Sequence, residues 1–229
     1  MAKYELNVHN IDQDFENIAV ATGLCSITVK PSDSDRCTVI CCEHKNATHT
    51  VTVKDGNLLI ACTDQRKWYH RILPHLQTPW IAVCLPKTVY HTLALKCTTG
   101  NISVSSIRLN GPLCAESVTG KIALTDVTCK SLAVRGTTGA VTLSGVVATD
   151  RIEVRRTTGK VLLHDCDAAA LQIKVTTGSV QGRLLSNKIF SAKATTGKIE
   201  LPEVQIGGKC EVRTVTGSIR FEIAPPANQ

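Results

Sequence analysis

Apolar residues alternate with polar ones in short runs along the second half of the chain, and the runs recur every 19 or 20 residues. Counted from Gly120, for example, apolar side chains stand two and four places later, at Ile122 and Leu124. A second apolar pair stands seven and nine places after the glycine, and a third seven and five places before the next one. Such alternation is typical of a β-strand with one buried face, so each repeat predicts three short strands.

The glycine that marks each repeat closes the phrase Thr-Thr-Gly or Val-Thr-Gly, which occurs seven times. The glycines are Gly100, Gly120, Gly139, Gly159, Gly178, Gly197 and Gly217. A fixed period near 20 residues with strand patterning is the signature of a β-solenoid. We therefore predict an all-β fold, a single-stranded, three-sided parallel β-helix with coils of about 19.5 residues. Right-handed winding is expected because right-handed crossovers dominate parallel β structure.

The regular spacing of the phrase along the chain indicates a structural role for its glycine. Alternation places the glycine inward, between the Thr or Val two places before it and the Ile or Val two places after it. The threonine directly before the glycine then faces outward and stacks on its copies in neighbouring coils. A missing side chain at an inward position predicts a positive φ, a bulge or a wall too close to admit a Cβ atom.

The first third of the chain is β-rich but not periodic. Residues 1–92 predict a cap that contains degenerate coils, one of them near Ala21-Thr22-Gly23, and a hairpin that turns at Asp55-Gly56. Residues 93–223 form the regular coils and residues 224–229 a tail, and the whole chain is a single domain.

Several short stretches occur in a characteristic order at residues 27–33, 54–58, 66–69 and 85–87, ahead of the Thr-Gly coils. In these stretches and coils the chain resembles DUF4097, a family of β-strand-repeat proteins of unknown function that is labelled "putative adhesin" and is common in Firmicutes. The resemblance implies association with the cell envelope, often behind a membrane anchor, a link to envelope-stress responses in some members, and no known catalytic residues. Relatives often continue Thr-Gly-Asp, whereas Asn, Lys, Ala or Ser follows the glycine here, so no acidic row is expected.

Composition and charge narrow the picture further. The formal net charge of +7 favours anionic partners, and the eleven cysteines are odd in number and irregular in spacing. They are expected to be reduced thiols that pack as small hydrophobic groups. No apolar run approaches the roughly 18 residues of a membrane span. We expect a bacterial cell-envelope location, extracytoplasmic if an anchor precedes Met1, with a cytoplasmic location as the alternative.

The strongest candidate for a binding site is a row of basic residues. Four places before the glycines stand Lys96, Arg135, Arg155, Lys174, Lys193 and Arg213, interrupted by Glu116, and Lys121, Lys160 and Lys198 lie just beyond the glycines. A solvated face explains such a row, and so does a groove for an anionic cell-wall polymer or a lipid surface. Nucleic acid is the least favoured ligand, because no aromatic residues interleave with the basic ones.

A second candidate is the segment that contains Trp68, Tyr69 and Trp80, where the β pattern breaks. It either caps the open end of the first coil or presents an apolar patch for an envelope protein or for self-association.

Sequence chemistry favours a protein that is not an enzyme and holds neither a cofactor nor a metal. The thiols and imidazoles of a group close in sequence are of the kinds that bind zinc: Cys37, Cys41, Cys42, His44 and His49. The spacing is not that of a zinc motif, and alternation sends Cys41 and Cys42 to opposite faces of a strand. Asp126 and Asp165, two coils apart, leave a polysaccharide-active enzyme as a minor alternative, although turn formation also explains both.

Overall fold

The computed structural model describes residues 4–44, 47–64 and 79–225, and these residues form strands and turns without a helix. The strands that precede the regular coils are β1 (Tyr4–Ile11), β2 (Asn17–Leu24), β3 (Ser26–Pro31), β4 (Cys37–His44), β5 (Ala47–Lys54), β6 (Asn57–Asp64), β7 (Trp80–Leu85) and β8 (Val89–Tyr90). The coils contain β9 (Thr92–Thr99), β10 (Ile102–Ser105), β11 (Arg108–Leu109), β12 (Pro112–Thr119), β13 (Ile122–Thr125), β14 (Thr128–Thr138), β15 (Val141–Ser144), β16 (Val147–Thr158), β17 (Val161–Thr177), β18 (Val180–Leu184), β19 (Lys188–Thr196), β20 (Ile199–Glu200), β21 (Gly208–Thr216) and β22 (Ile219–Ile223).

The coils stack so that residues at equal distances from the repeat glycine lie side by side. One parallel ladder aligns Ile102 with Ile122, and another aligns Leu113 with Leu132. A third, shorter ladder aligns Arg108 with Thr128. The alternating apolar side chains of all three ladders point inward and form one continuous buried core. The all-β repeat architecture predicted from the sequence is confirmed.

The sheet is mixed, because antiparallel strands of the predicted cap join the parallel ladders at the N-terminal end. There β4 pairs antiparallel with β1 and with β7, and β5 pairs antiparallel with β6. Asp55 and Gly56, between β5 and β6, both have positive φ, which confirms the predicted tight hairpin turn. A solenoid end leaves unpaired backbone groups, and these antiparallel strands satisfy them where no further coil follows.

Stacking order departs from chain order at both ends of the solenoid. At the N-terminal end β2 lies between β6 and β9, and β3 lies between β7 and β10. At the C-terminal end β21 lies between β17 and β19, and β22 lies between β18 and β20. The coil nearest each terminus of the described chain therefore lies one layer inside the stack. Because it is paired on both sides, it cannot fray as a free end would.

The repeat glycines form a column in which the coils approach one another most closely. All seven have φ between +128° and +156°. A Cβ atom on any of them would lie 1.9–2.3 Å from a backbone carbonyl oxygen of the adjacent coil. Both the positive φ and the close wall predicted from the sequence are confirmed.

The residue two places before each glycine does not face inward as predicted. Val118 and Val215, for example, are about half exposed, at 48% and 49%. The inward residue lies one place earlier, at Cys97 or Ser117 in the first two coils. The chain turns a corner at the phrase, so the alternation of the preceding strand ends before the glycine and both threonine positions face solvent.

Replacement of a repeat glycine tests the close approach. We expect Gly159→Ala to lower the free energy of unfolding by at least about 3 kcal/mol, because the new Cβ meets a carbonyl oxygen at 2.0 Å and the φ of +143° is strained. Gly23→Ala is the matched control, since a Cβ there has no heavy atom within 4 Å. Urea unfolding of both variants measures the difference. Equal losses would contradict the mechanical role of the column.

A partly buried polar network links the start of β19 to Asp167 on β17. Lys188 Nζ donates to Asp167 Oδ1 at 2.6 Å, and the Ser186 hydroxyl donates to the same oxygen at 2.8 Å. The Lys188 side chain is only 4% exposed. Burial raises the pKa of Asp167, but the Lys188 and Ser186 hydrogen bonds outweigh it and the net shift is downward.

This network makes stability depend on pH in a defined direction. A carboxyl whose pKa is lowered by folding stabilises the fold above its unfolded pKa, and that contribution is lost as pH falls through the folded pKa. We expect Asp167→Asn to destabilise the protein by about 1–3 kcal/mol at neutral pH, because Lys188 is left buried without its anion. The deficit should shrink as pH falls below the ordinary value of 3.8. Unfolding curves at several pH values, with the exposed Asp150→Asn as the control, check this, and a pH-independent deficit would contradict it.

Candidate basic groove

Five of the predicted basic residues form an uninterrupted row along the stack. The register runs Arg135, Arg155, Lys174, Arg213 and Lys193, one residue from each of five adjacent coils. Arg213 lies between Lys174 and Lys193 because β21 is inserted between β17 and β19. At about 4.8 Å per strand the row extends roughly 19 Å along the solenoid axis.

These five side chains line a shallow groove of about 630 Å³. Residues from the Thr-Thr-Gly corners line the same groove. They are Thr137, Thr157, Thr176, Thr195 and Val215. Hydroxyl groups can donate or accept hydrogen bonds, so the groove presents a line of cations together with these four threonines.

Carboxylates neutralise part of the row. Glu153 lies in ion-pair contact with Arg155, and its carboxylate is 3.9 Å from Arg135. The Glu211 carboxylate is 2.7 Å from Arg213. A hydrogen bond from Gln172 is the largest cause of the lowered pKa of Glu211, and the nearby positive charges of Arg213 and Lys174 act in the same direction, so Glu211 is ionised at neutral pH.

A positive excess remains in the groove. Five cations face three carboxylates, those of Glu153, Glu211 and Glu116, and Glu116 is shared between Arg135 and Lys96 at the edge of the row. Within residues 79–225, Lys174 and Lys193 have no carboxylate within ion-pair distance. Their amino groups are therefore available to an anion without first breaking an internal pair.

A buried arginine beneath the groove was missed by sequence reasoning. Arg156 is only 4% exposed, and it donates hydrogen bonds of 2.9 Å to the backbone carbonyls of Ser117 and Gly120. Burial lowers its pKa, with Cys97 acting in the opposite direction. Its partners are carbonyl oxygens, so within the described residues no carboxylate cancels its charge, which adds to the positive potential of the groove.

A comparison of coils could have found Arg156. Three places before the glycine most coils have a small or apolar residue, such as Cys97 or Val175, whereas Arg156 is long and charged. The coil before it has Gly136 at the same place, and a Cβ there would lie 1.9 Å from the Arg156 guanidinium. An inward arginine and a facing glycine are therefore a complementary pair that the sequence contains.

The other predicted basic residues lie outside the groove. Lys121, Lys160 and Lys198 are exposed beyond the glycine corner, and Lys96 lies past Glu116 at the far end of the row. Of the predicted partner segment, Trp68 and Tyr69 lie outside the described residues. Trp80 on β7 is 39% exposed.

The two carboxylates that could serve a polysaccharide-active enzyme, Asp126 and Asp165, both have a left-handed backbone with a φ of +52°. Asp126 lies in the bend after β13, and Asp165 lies at a break in the register within β17. Asp165 is also held by two hydrogen bonds from Arg183, at 2.6 and 2.5 Å, which lower its pKa. In the part of the chain that the structure describes, no helix has the length and apolar character needed to cross a membrane.

Comparison with known proteins identifies relatives of this architecture. A family model described as "Toastrack DUF4097" matches residues 15–227. A solved structure named a "putative adhesin" from Bacteroides fragilis is 16% identical, with a TM-score of 0.53 and coverage of 96% of this chain and 99% of that chain. At this identity the likeness shows the fold alone.

Two further solved structures from Parabacteroides distasonis are more distant. One is named a "putative adhesin", is 14% identical, has a TM-score of 0.45 and covers 96% of this chain and 98% of that one. The other is named a "putative lipid binding protein", is 14% identical, has a TM-score of 0.39 and covers 95% and 96%. None of the three structures is named as an enzyme. No curated protein matches the sequence.

Proposed function

The chain belongs to the Toastrack DUF4097 family, and we propose that it is a non-enzymatic binding module of the bacterial cell envelope whose basic groove binds an anionic polymer. The observation that carries the proposal is the register of the groove, in which five adjacent coils each place one cation in the same row. A linear row along the solenoid axis suits a linear polyanion better than a single small anion.

The fold supports binding through many weak contacts. Each exposed cation contributes about 1 kcal/mol or less to an ion pair in water. Strand pairing fixes the backbone of all five coils before any ligand arrives, so binding costs little backbone conformational entropy. Among the described residues Lys174 and Lys193 have no carboxylate partner to give up, and the threonines of the groove can hydrogen-bond the oxygens of phosphate, sulfate or sugar groups. Several such contacts on one polymer add up to useful affinity.

The proposal extends to the finer features expected from the sequence. We take the coil to be three-sided and right-handed, as the three parallel ladders and the usual handedness of β crossovers favour. The absence of an enzymatic role is supported by the left-handed backbone of Asp126 and Asp165, which gives both residues a structural explanation. An envelope location rests on the family and on the suitability of the groove for anionic wall polymers. An anionic lipid surface is the alternative ligand.

Neutralisation of the groove tests the binding mode. We expect the triple variant Arg155→Gln, Lys174→Gln, Arg213→Gln to bind polyphosphate or dextran sulfate at least tenfold more weakly than the wild type. The slope of log affinity against log salt concentration should fall by about one for each lost contact. Isothermal titration at several salt concentrations measures both. Vesicles containing phosphatidylglycerol, compared with neutral vesicles, show whether a lipid surface is bound instead.

The matched control is Lys121→Gln, Lys160→Gln, Lys198→Gln, which removes the same charge outside the groove. This control should bind nearly as tightly as the wild type. Equal weakening of the two triple variants would mean that net charge alone attracts the polymer, and the proposed groove would then be wrong.

A second candidate function, self-association, is favoured by the C-terminal end of the solenoid. Near the C-terminal end of the stack, where β19 and β20 are the outermost described strands, Leu185, Ile189, Val204 and Ile206 are between 48% and 61% exposed. Within the described residues the only strand paired with β19 is β21. The Gln205 side chain accepts a hydrogen bond from the Phe190 backbone N–H, and the rest of the other edge has no strand partner there, which the same strand of a second copy could supply.

Charge introduced at this end should separate the two candidates. If copies associate there, sedimentation velocity should show a dimer that persists at high salt and dissociates in the double variant Ile189→Asp, Ile206→Asp. Val118→Asp, at a residue 48% exposed on another coil, is the control. A monomer at all concentrations would exclude the second candidate and leave the groove proposal intact.

A further inference from the structure

A compact group of potential metal ligands lies in the antiparallel cap, remote from the basic row. Cys41 and Glu43 are alternate residues of β4, and His49 lies near the start of β5. Each offers one ligand atom, and the three atoms lie within 4.8 Å of one another. All three residues are buried, Cys41 completely.

The Glu43 carboxylate accepts hydrogen bonds from His49 and Asn7. One oxygen accepts hydrogen bonds from the backbone N–H of His49, at 2.5 Å, and from its ring nitrogen Nδ1, at 3.0 Å. The other accepts a hydrogen bond from the Asn7 side chain. Burial is the largest influence on the His49 pKa and lowers it, although contact with Glu43 acts in the opposite direction.

The imidazole itself is incompletely satisfied. Its side chain is 0% exposed, and the second ring nitrogen, Nε2, is buried without a hydrogen-bond partner in the described residues. A buried ring nitrogen without a hydrogen-bond partner costs free energy, and a metal ion coordinated at the cluster would remove that cost.

A second thiol stands next to the cluster. Cys62 on β6 is directly opposite His49 in the β5–β6 register. Residues directly opposite each other in an antiparallel pair share a face of the sheet. The Cys62 sulfur is also close enough to Cys41 for the charge of one thiolate to raise the pKa of the other thiol.

We propose that Cys41, Glu43 and His49 form a zinc-binding site. The nearby Cys62 thiol or a water molecule would take the fourth position. Thiolate, imidazole and carboxylate together suit Zn²⁺ and not Mg²⁺ or Ca²⁺, which prefer oxygen ligands alone. Zinc bonds of about 2.0–2.3 Å in a tetrahedron place ligand atoms about 3.3–3.8 Å apart. Because the ligand atoms of Cys41, Glu43 and His49 lie within 4.8 Å of one another, these three need movements of roughly 1 Å to reach that geometry.

Binding converts the Cys41 thiol to a zinc thiolate and releases its proton to solvent. Without metal, burial raises the pKa of this thiol to about 12, with smaller contributions from Glu43 and Cys62. Coordination to a divalent cation deprotonates a thiol outright. The bound ion would join β4 to the β5–β6 hairpin and so fasten the cap, which gives the site a structural role.

Metal titration of the chelator-stripped full-length protein tests the site. We expect one equivalent of Co²⁺ to give an intense thiolate-to-cobalt charge-transfer band and the strong visible bands of tetrahedral cobalt, and one equivalent of Zn²⁺ to displace both. Zn²⁺ should also raise the melting temperature in a concentration-dependent way. Cys41→Ala and His49→Gln should each weaken Zn²⁺ binding by at least about 100-fold.

Cys37→Ala is the matched control, because Cys37 is a buried thiol on the same strand but outside the cluster. It should keep the affinity of the wild type. The proposal is wrong if the wild type shows no saturable site, or if folded Cys41→Ala and His49→Gln bind Zn²⁺ as the wild type does. Should either variant fail to fold, the wild-type cobalt spectrum decides alone, and octahedral cobalt without a thiolate band would overturn the proposal.

Discussion

The close approach of the backbone at the repeat glycines is the constraint on which the rest of the structure depends. Each glycine Cα faces a carbonyl oxygen of the next coil, at a distance that leaves no room for a side chain. The contact recurs at one place in every coil, so it fixes the register of the whole stack. A shift by one residue would bring a threonine into this contact and turn the buried strand faces outward.

Fixed register allows single side chains to become extended surfaces. Cations four places before the glycine form a row because that position lies side by side in adjacent coils. The same geometry lets Arg156 occupy the space above Gly136 and reach carbonyl groups two coils away. The regularity that builds the fold therefore also builds the groove, and no separate binding loop is required.

Both ends of the solenoid must protect an outer coil from fraying, and they do so differently. Each inserts the coil nearest the chain terminus one layer inside the stack, but within the described residues antiparallel strands are added only at the N-terminal end. Those strands bring Cys41, Glu43 and His49 together from β4 and β5. The C-terminal end instead leaves aliphatic side chains exposed. The proposed binding sites thus lie in three places: the polymer site in the basic groove, the zinc site in the N-terminal cap and the self-association site at the C-terminal end.

The sequence by itself determined the all-β repeat fold, the inward strand positions, the role of the glycine and the Asp55-Gly56 turn, because each follows from local alternation, from turn chemistry or from the regular repetition of one coil in the next. It also contained the basic row, since equal spacing implies equal register. Only the tertiary structure decided that Arg213 lies between Lys174 and Lys193, and that Glu43 joins Cys41 and His49. Stacking order and antiparallel pairing depend on contacts between segments distant in sequence. Because every coil has the same repeat pattern, the pattern does not specify which coil stacks on which.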